Sequence, residues 1–442
     1  MKMSRHLLPL FVLLLGVSPV ESQERWLAIE GGTVFDGTGA IHEETTVLIR
    51  GDRIETIGPA GQVDIPTGTE RLDATGKFLT PGFVDLHFHY SPSESGSLDP
   101  ALNSPINPEL PLLFLANGVT TLREMSIWIE DNELWLADIR ARGLPTPHLF
   151  YSGPILDGTN PAYPSISRVL LDEMDARRVT NELIDQGATS LKIYFRLPLN
   201  LIRAVVEEAD RRNVPVFAHL EAIDARDAIR VGIDGIEHTR SVGQALVTPK
   251  EAEAFRQILL RETRPESTLH SVHMWASLNP SGARADALIK LMLERQVALD
   301  ATLAVYEPAF DEEGADQRWA AVQNMATFTV RYAQAGGPVT MGSHGLVANA
   351  PAGLAYHREL EAHVEAGMTP SEVLQAATRV GAETLRLSDR GTLAHGKLAD
   401  VVLFDADPLE DISNIRRVHA VVLNGELLDR DQLIASAQHL VP

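Results

Sequence analysis

Apolar and polar residues alternate in short runs near the start of the chain, between residues 26 and 77. Gly-Gly, Asp-Gly and Gly-Asp pairs separate these runs, which favours turns between strands. The sequence after residue 390 returns to this pattern, and Asn424-Gly425 indicates a hairpin. We therefore expect a small β-sandwich made from both chain ends, with residues 23–80 and 391–442 as its two parts.

Between residues 81 and 390, short apolar runs alternate with segments of helical periodicity. Leu201, Val205, Val206 and Ala209, for example, recur at the spacing of one helix face. The predicted strands are Val84–His89, Val119–Glu124, His148–Ser152, Ser190–Tyr194, Val214–His219, Gly235–His238, Val297–Leu303 and Val339–His344. This alternation favours an α/β fold of the (β/α)8 TIM-like barrel type, and an open doubly wound sheet is the alternative.

The apolar run at residues 7–17 follows two basic residues and precedes small residues near Ser22. This order is typical of a secretory signal peptide, here residues 1–22, and the run is too short to span a bilayer. An uncleaved anchor is the alternative. We expect an exported protein, periplasmic or secreted, with no stable membrane insertion after signal removal.

Composition narrows the choice of partners and ligands. A formal charge of -22 repels phosphate backbones, so nucleic acid is not an expected partner. The chain has no cysteine, so His, Asp, Glu or a modified lysine must hold any metal ion. A small-molecule substrate is the expected partner, and the sequence leaves a homo-oligomer open.

The first predicted barrel strand places Asp85, His87 and His89 on one face, because side chains alternate between the two faces of a strand. Two imidazoles on one side can bind the same metal ion, and neutral imidazole nitrogens are good zinc ligands. The spacing alone does not distinguish a metal site from two histidines on an ordinary strand.

Other candidate ligands lie on further predicted strands, near the carboxyl ends where barrel enzymes carry their chemistry. Lys192 is in the fourth strand, His219 ends the fifth and His238 ends the sixth. Alone, each would be a core histidine or a buried lysine with its charged end at the surface. As a set with the two histidines of the first strand, they predict a metal site.

Six sequence segments together have the form found in one family of barrel enzymes. They are GGTVFDGTG, TPGFVDLHFH, GVTTLRE, EHTR, GMTPSEVLQAATRVGAETL and GTLAHGKLADVVLFDADPL. Over nearly the whole sequence after residue 22, the chain resembles the amidohydrolase superfamily, in the branch of imidazolonepropionase-like and prolidase-like metal-dependent hydrolases.

The resemblance implies a site for two divalent metal ions, with zinc the first choice. His87 and His89 would bind the more buried ion, and His219 and His238 would bind the second. Lys192, carboxylated by CO2, would bridge both ions as a carbamate. Water between two dications loses a proton near neutral pH, so the resemblance implies hydrolysis by a metal-bridging hydroxide.

The chain departs from this branch on the eighth strand. The branch carries Gly-Thr-Asp there, with Asp as metal ligand and proton shuttle, whereas this chain has Gly342-Ser343-His344. His344 is therefore the candidate catalytic residue, as general base or as ligand. Because of this departure, the sequence does not establish which residue is the general base or whether the usual hydrolytic mechanism applies.

Four further residues follow the candidate ligands closely and could contact a substrate carboxylate. They are Tyr90, Tyr194, Arg196 and Arg240. A structural role is the alternative for each.

We predict an exported metal-dependent amidohydrolase that cleaves an amide bond in a dipeptide or an N-acyl amino acid. One alternative is a lactonase or lyase-type reaction at the same site. Another is a non-catalytic metal-binding protein, because His344 replaces the usual Asp.

Overall fold

The computed structural model describes residues 25–89, 109–261, 264–309 and 312–440. The predicted signal peptide and Tyr90 lie outside these residues. No helix in the described part of the chain is both long and apolar enough to cross a membrane.

Eight parallel strands form a closed barrel, as the sequence pattern predicts. Their bounds are Phe83–Phe88, Val119–Glu124, His148–Tyr151, Leu191–Ile193, Val216–Ala218, Gly235–Glu237, Ala298–Asp300 and Val339–Thr340. Strands one to three pair in sequence order, as do strands four to eight. Backbone hydrogen bonds close the ring, from Thr189 N to Tyr151 O at 2.9 Å and from Leu86 N to Met341 O at 3.0 Å.

The barrel strands are buried on both of their faces. Every residue of the fifth strand is buried, and so is every residue of the first. Such burial is expected where side chains fill the barrel on one face and pack under helices on the other. The helix Leu199–Arg211 buries Leu201, Val205, Val206 and Ala209, the residues that predicted its apolar face.

The helices lie mostly between the barrel strands in the sequence. Their bounds are Leu110–Ala116, Ile129–Ala141, Glu173–Asp185, Leu199–Arg211, Ala225–Val231, Gly243–Leu246, Pro249–Arg261, Arg264–Ser277, Ala283–Arg295, Ala315–Gln334, Ala355–Ala366, Pro370–Gln375, Gly381–Thr384 and Arg430–Ser436. Two short strands, Ile155–Asp157 and Ser167–Val169, follow the third barrel strand and were not predicted. The first of them pairs with the fourth barrel strand, so this segment lies beside the barrel wall.

The two chain ends join, as predicted, and their strands pair in one sheet. Its strands are Trp26–Phe35, Ile41–Arg50, Arg53–Pro59, Glu70–Asp73, Phe78–Pro81, Val401–Phe404, Val418–Leu423 and Glu426–Leu427. The junction is the antiparallel pairing of Phe78–Pro81 with Val401–Phe404. Apolar residues from both ends, such as Ile29 and Val422, form a core of their own.

The barrel strands end earlier than the sequence predicts. Strands one, five and six stop at Phe88, Ala218 and Glu237, so His89, His219 and His238 are each the next residue along the chain. The eighth strand stops at Thr340, four residues before His344. These histidines therefore lie in the loops at the carboxyl end of the barrel, where the chain can turn toward its centre.

Candidate metal centre

His87 and His89 face each other at the carboxyl end of the first barrel strand. Their Nε2 atoms are 3.2 Å apart. His87 is fully buried, and the side chain of His89 is 9% exposed. Two imidazole nitrogens at this separation can both bind a single ion placed beside them.

The outer nitrogen of each of these rings contacts a polar group of the protein. Glu237 Oε2 lies 2.6 Å from Nδ1 of His87. Ser126 Oγ lies 2.9 Å from Nδ1 of His89. Such partners fix the orientation and the protonated nitrogen of a metal-binding histidine. In both rings, Nε2 is then the atom that can bind an ion.

His219 and His238 form a second pair, with ring centroids 4.7 Å apart. Glu221 Oε1 lies 2.5 Å from Nε2 of His219, and Thr302 Oγ1 lies 2.6 Å from Nδ1 of His238. Each of the four predicted histidine ligands thus has one ring nitrogen next to a fixed polar partner. This pattern is found around metal-binding histidines.

His344 lies against both pairs. Its ring stacks on His87 with a centroid distance of 5.0 Å, and its centroid is 4.7 Å from that of His89. Nitrogens of His87, His238 and His344 lie within 4.8 Å of one another. The Nδ1 atom of His344 is buried without a hydrogen-bond partner among the described residues.

Lys192 lies at the middle of the fourth barrel strand and is 2% exposed. Burial lowers the pKa of its amine to about 8, although the neighbouring Glu237 carboxylate acts in the opposite direction. Its Nζ atom is 3.9 Å from Glu237 Oε2. A lysine with a lowered pKa is more often neutral, and the neutral amine is the form that can react with CO2.

A buried charge cluster lies behind His87. Arg123 donates from Nη2 to Glu237 Oε1 at 2.7 Å, and its guanidinium lies 3.8 Å from the centroid of the Phe217 ring. Burial alone would raise the pKa of Glu237, but Lys192 and Arg123 outweigh it and hold that pKa well below its usual value.

Asp300 completes this cluster. Its Oδ2 atom is 3.4 Å from His87 Nδ1 and 3.7 Å from Arg123 Nη2. Burial, and then the charge of Glu237, raise the pKa of Asp300 well above its usual value. The two neighbouring carboxyl groups therefore have pKa values shifted in opposite directions.

Burial lowers the pKa values of four histidines of the centre. Burial lowers the pKa of His87 to about 4. It also lowers the pKa of His89, His238 and His344 well below the usual value. Neutral imidazole keeps the lone pair that a metal ion needs.

Three residues of the centre have left-handed backbone conformations that side chains rarely adopt. The φ angles of His238, Thr302 and His344 are 63°, 47° and 62°. A β-branched residue such as Thr302 is especially unusual there. Strain of this kind concentrates at functional sites, where the surrounding structure holds it in place.

The structure places the weaker sequence candidates as follows. The Tyr194 ring lies 4.6 Å from the His219 ring, at the edge of the centre. Arg196 donates to the backbone carbonyls of Asn160 and Leu259. Arg240 donates to both carboxylate oxygens of Glu221.

Sequence reasoning missed the polar partners of the histidines. Glu221 could have been found from the sequence, because it lies two residues after His219, and His87 and His89 are separated by the same spacing. Glu237 and Ser126 had none, since their contacts join residues 150 and 37 positions apart.

The residues present fit the metal ions that the family resemblance implies. The four predicted histidine ligands converge, each with one ring nitrogen next to a polar partner, and His344 and Lys192 lie among them. This donor set contains nitrogens, which suit zinc and similar divalent ions.

Comparison with known proteins gives the family. The chain matches the amidohydrolase family over residues 78–428 of its 442. A 63-residue segment is 44% identical to an N-acyl-D-glutamate deacylase of Alcaligenes xylosoxydans xylosoxydans, and this match covers 14% of the chain and 12% of that deacylase.

Solved structures give the same fold. Molinate hydrolase is similar with a TM-score of 0.71 and 21% identity, over 93% of this chain and 96% of that one. A Xaa-Pro dipeptidase with methionine bound in its active site is similar with a TM-score of 0.66 and 19% identity, over 91% and 99% of the two chains. At these identities the likeness establishes the fold alone.

Proposed function

The chain belongs to the amidohydrolase family, and from this membership and the convergent histidines we propose that it is a metal-dependent hydrolase of amide bonds. The observation that supports this most is the 3.2 Å approach of the Nε2 atoms of His87 and His89, with each outer nitrogen next to a polar partner. A pair arranged in this way is prepared to bind an ion.

We assign the metal ligands as the family resemblance implies. His87 and His89 would hold one divalent ion, and His219 and His238 would hold a second. When bound, such ions polarise a carbonyl group and lower the pKa of water. Zinc is the first choice, because all four side chains offer imidazole nitrogens.

Lys192 would connect the two ions as a carbamate. Its neutral amine forms a bond from Nζ to the carbon of CO2 and loses one proton. The product is an anion, whereas free lysine is a cation that repels metal ions. Burial of Lys192 and the lowered pKa support this assignment, because both favour the neutral amine.

His344 would transfer the proton during hydrolysis. The oxygen of water forms a bond to the acyl carbon, the C–N bond breaks, and one proton of that water passes through the imidazole to the departing nitrogen. The position of His344 supports this role, because its ring stacks on that of His87 and its Nδ1 atom is buried without a hydrogen-bond partner among the described residues.

The proposed substrate is a dipeptide or an N-acyl amino acid. The deacylase and the Xaa-Pro dipeptidase to which the chain is similar carry such substrates in their names. A panel of dipeptides, N-acyl amino acids and lactones, with zinc or manganese added, tests this proposal. Turnover of lactones alone would contradict the amide assignment.

We also propose that the protein is exported. The support is the apolar run at residues 7–17 after two basic residues. Mass spectrometry of exported protein should find a chain that starts near Gln23. Intact Met1 in a membrane fraction would contradict the proposal.

A further inference from the structure

His219 is the only one of the four assigned ligands whose outer nitrogen lies next to a carboxylate that an arginine holds through both oxygens. Glu221 Oε1 lies 2.5 Å from His219 Nε2. Arg240 Nη2 lies 2.8 Å from each oxygen of Glu221. All three side chains are at most 4% exposed. A charge pair removed from water in this way has a fixed geometry, since breaking it would leave a buried charge.

The ends of two neighbouring barrel strands set the pairing of Glu221 with Arg240. Glu221 lies two residues after His219, and Arg240 lies two residues after His238. Ser241 connects the two segments, because its Oγ accepts from Leu220 N at 3.0 Å and donates to Glu237 O at 2.6 Å.

Arg240 is held by further contacts. Its guanidinium carbon lies 5.5 Å from the centroid of the Tyr306 ring, and its backbone carbonyl accepts from Trp275 Nε1 at 3.0 Å. The Tyr306 ring itself packs edge-on against His238 at 5.9 Å. The arginine thus fixes Glu221 from a rigid position.

We propose that Glu221 and Arg240 are a positioning pair, in which Glu221 fixes the proton of His219 on Nε2 and so leaves Nδ1 as the metal-binding atom, while Arg240 holds Glu221. A carboxylate can only accept, so it selects the Nε2–H form of a neutral imidazole. His238 is held at the opposite nitrogen, by Thr302. The two ligands of the second ion would therefore use different ring nitrogens.

The arginine has a separate effect. An unpaired carboxylate beside His219 could itself bind a divalent ion and change the ligand set. Because Arg240 donates to both oxygens of Glu221, the carboxylate remains a partner of the histidine. This inference rests on the proposed metal centre. Its test distinguishes a failure of the positioning role from a failure of the metal centre itself.

The test uses the full mature chain and compares the parent with Glu221→Gln, Arg240→Met and the double variant. The ¹⁵N imidazole shifts of His219 in metal-free protein report which nitrogen carries the proton. Chelator competition with Co²⁺ gives the dissociation constant of the second ion. Glu253→Gln is the control, because it removes a carboxylate from an exposed pair with Arg256.

We expect the parent to carry the proton on Nε2 of His219. An amide can accept or donate, so Glu221→Gln should give both tautomers and weaken the second Co²⁺ site about 10- to 100-fold. Arg240→Met should keep the Nε2–H form. If an unpaired Arg240 prevents Glu221→Gln from folding, the double variant, which removes both charges, should still show mixed tautomers and the weakened site.

A parent protein with the proton on Nδ1 would overturn the proposal, as would a Glu221→Gln or double variant that binds the second Co²⁺ like the parent. A parent that binds fewer than two Co²⁺ ions would overturn the proposed metal centre. The tautomer in metal-free protein would still decide the role of Glu221.

Discussion

Nδ1 of His87 lies 2.6 Å from Glu237 Oε2, on the far side of the ring from the Nε2 atom that faces His89. This contact connects the first barrel strand to the sixth. It also joins the metal centre to the buried cluster of Arg123, Lys192 and Asp300. A change at Glu237 should therefore affect both metal binding and stability.

Glu237→Gln should weaken metal binding about 10- to 100-fold, because the amide no longer fixes the proton on Nδ1 of His87. It should also lower the free energy of unfolding of the metal-free protein by about 3–5 kcal/mol, since Arg123 would lose its buried partner. Metal analysis and urea denaturation measure the two effects. Glu253→Gln, at an exposed site, should match the parent, and a Glu237→Gln protein with unchanged affinity would contradict the orienting role.

Lys192→Ala should lose most of one of two bound ions. Protein prepared with bicarbonate and zinc should contain near two ions per chain if the carbamate joins them. Metal analysis of the two proteins checks this, with the exposed Lys290→Ala as control. A crystal structure with two ions and an unmodified Lys192 would rule out the carbamate.

The barrel could be predicted from the sequence because it depends on local patterns, and the ligand set, which was chosen from the same patterns, stays a prediction. Each barrel strand is a short apolar run, and each predicted ligand lies in or directly after such a run. His344 became a candidate in a different way, because Gly342-Ser343-His344 lies where the family that the chain resembles carries Gly-Thr-Asp.

The partners of the ligands depend on tertiary structure and could not be predicted. Glu237 reaches His87 across the barrel, and Glu359 binds the backbone N–H groups of Leu303 and Ala304. Those N–H groups follow Thr302, which has a φ of 47°. A β-branched residue rarely adopts a positive φ, so the sequence does not predict this conformation. The predicted strands also extend too far along the chain. The sixth strand, for example, ends at Glu237 because His238 has a positive φ, and the hydrophobic pattern does not show this turn.

Gly342→Ala should disturb the centre through simple overlap. A Cβ atom at this position would lie 2.5 Å from Asp300 Oδ1 and 2.5 Å from His87 Cβ. Overpacking of this kind lowers the free energy of unfolding by about 1–3 kcal/mol, and here it would also move His87. Thermal denaturation and zinc titration should both show a loss. At Gly282, the nearest atom to an added Cβ is 3.4 Å away, so Gly282→Ala should behave like the parent.

Because of His363, the free energy of unfolding should depend on pH below about 6.5. Burial lowers its pKa to about 4 in the folded state, against about 6.5 in an unfolded chain. The unfolded chain binds more protons between these values, so stability falls as pH decreases from 6.5 to 4. His363→Leu should remove about 2 kcal/mol of the decrease between pH 6.5 and 4.5.

Urea denaturation of metal-free protein at both pH values measures this difference. His439→Leu, at an exposed position, is the matched control. An equal decrease in the parent and in His363→Leu would show that His363 does not titrate in this range.

His344 is the residue where the chain departs from its family, and its substitution tests the proposed chemistry most directly. His344→Ala should keep the fold and most of the metal but lose at least about 100-fold in turnover, the usual scale for a general base. His344→Asp should retain measurable activity, because a carboxylate can also accept and return a proton. Aspartate also tolerates the left-handed backbone at this position better than most residues do.

The measurements are kcat on the best substrate of the panel, metal content and thermal denaturation. If His344→Ala turns over as fast as the parent, the base lies elsewhere. If neither the parent nor His344→Asp turns over any substrate of the panel, the chain is a metal-binding protein that keeps the fold without the reaction.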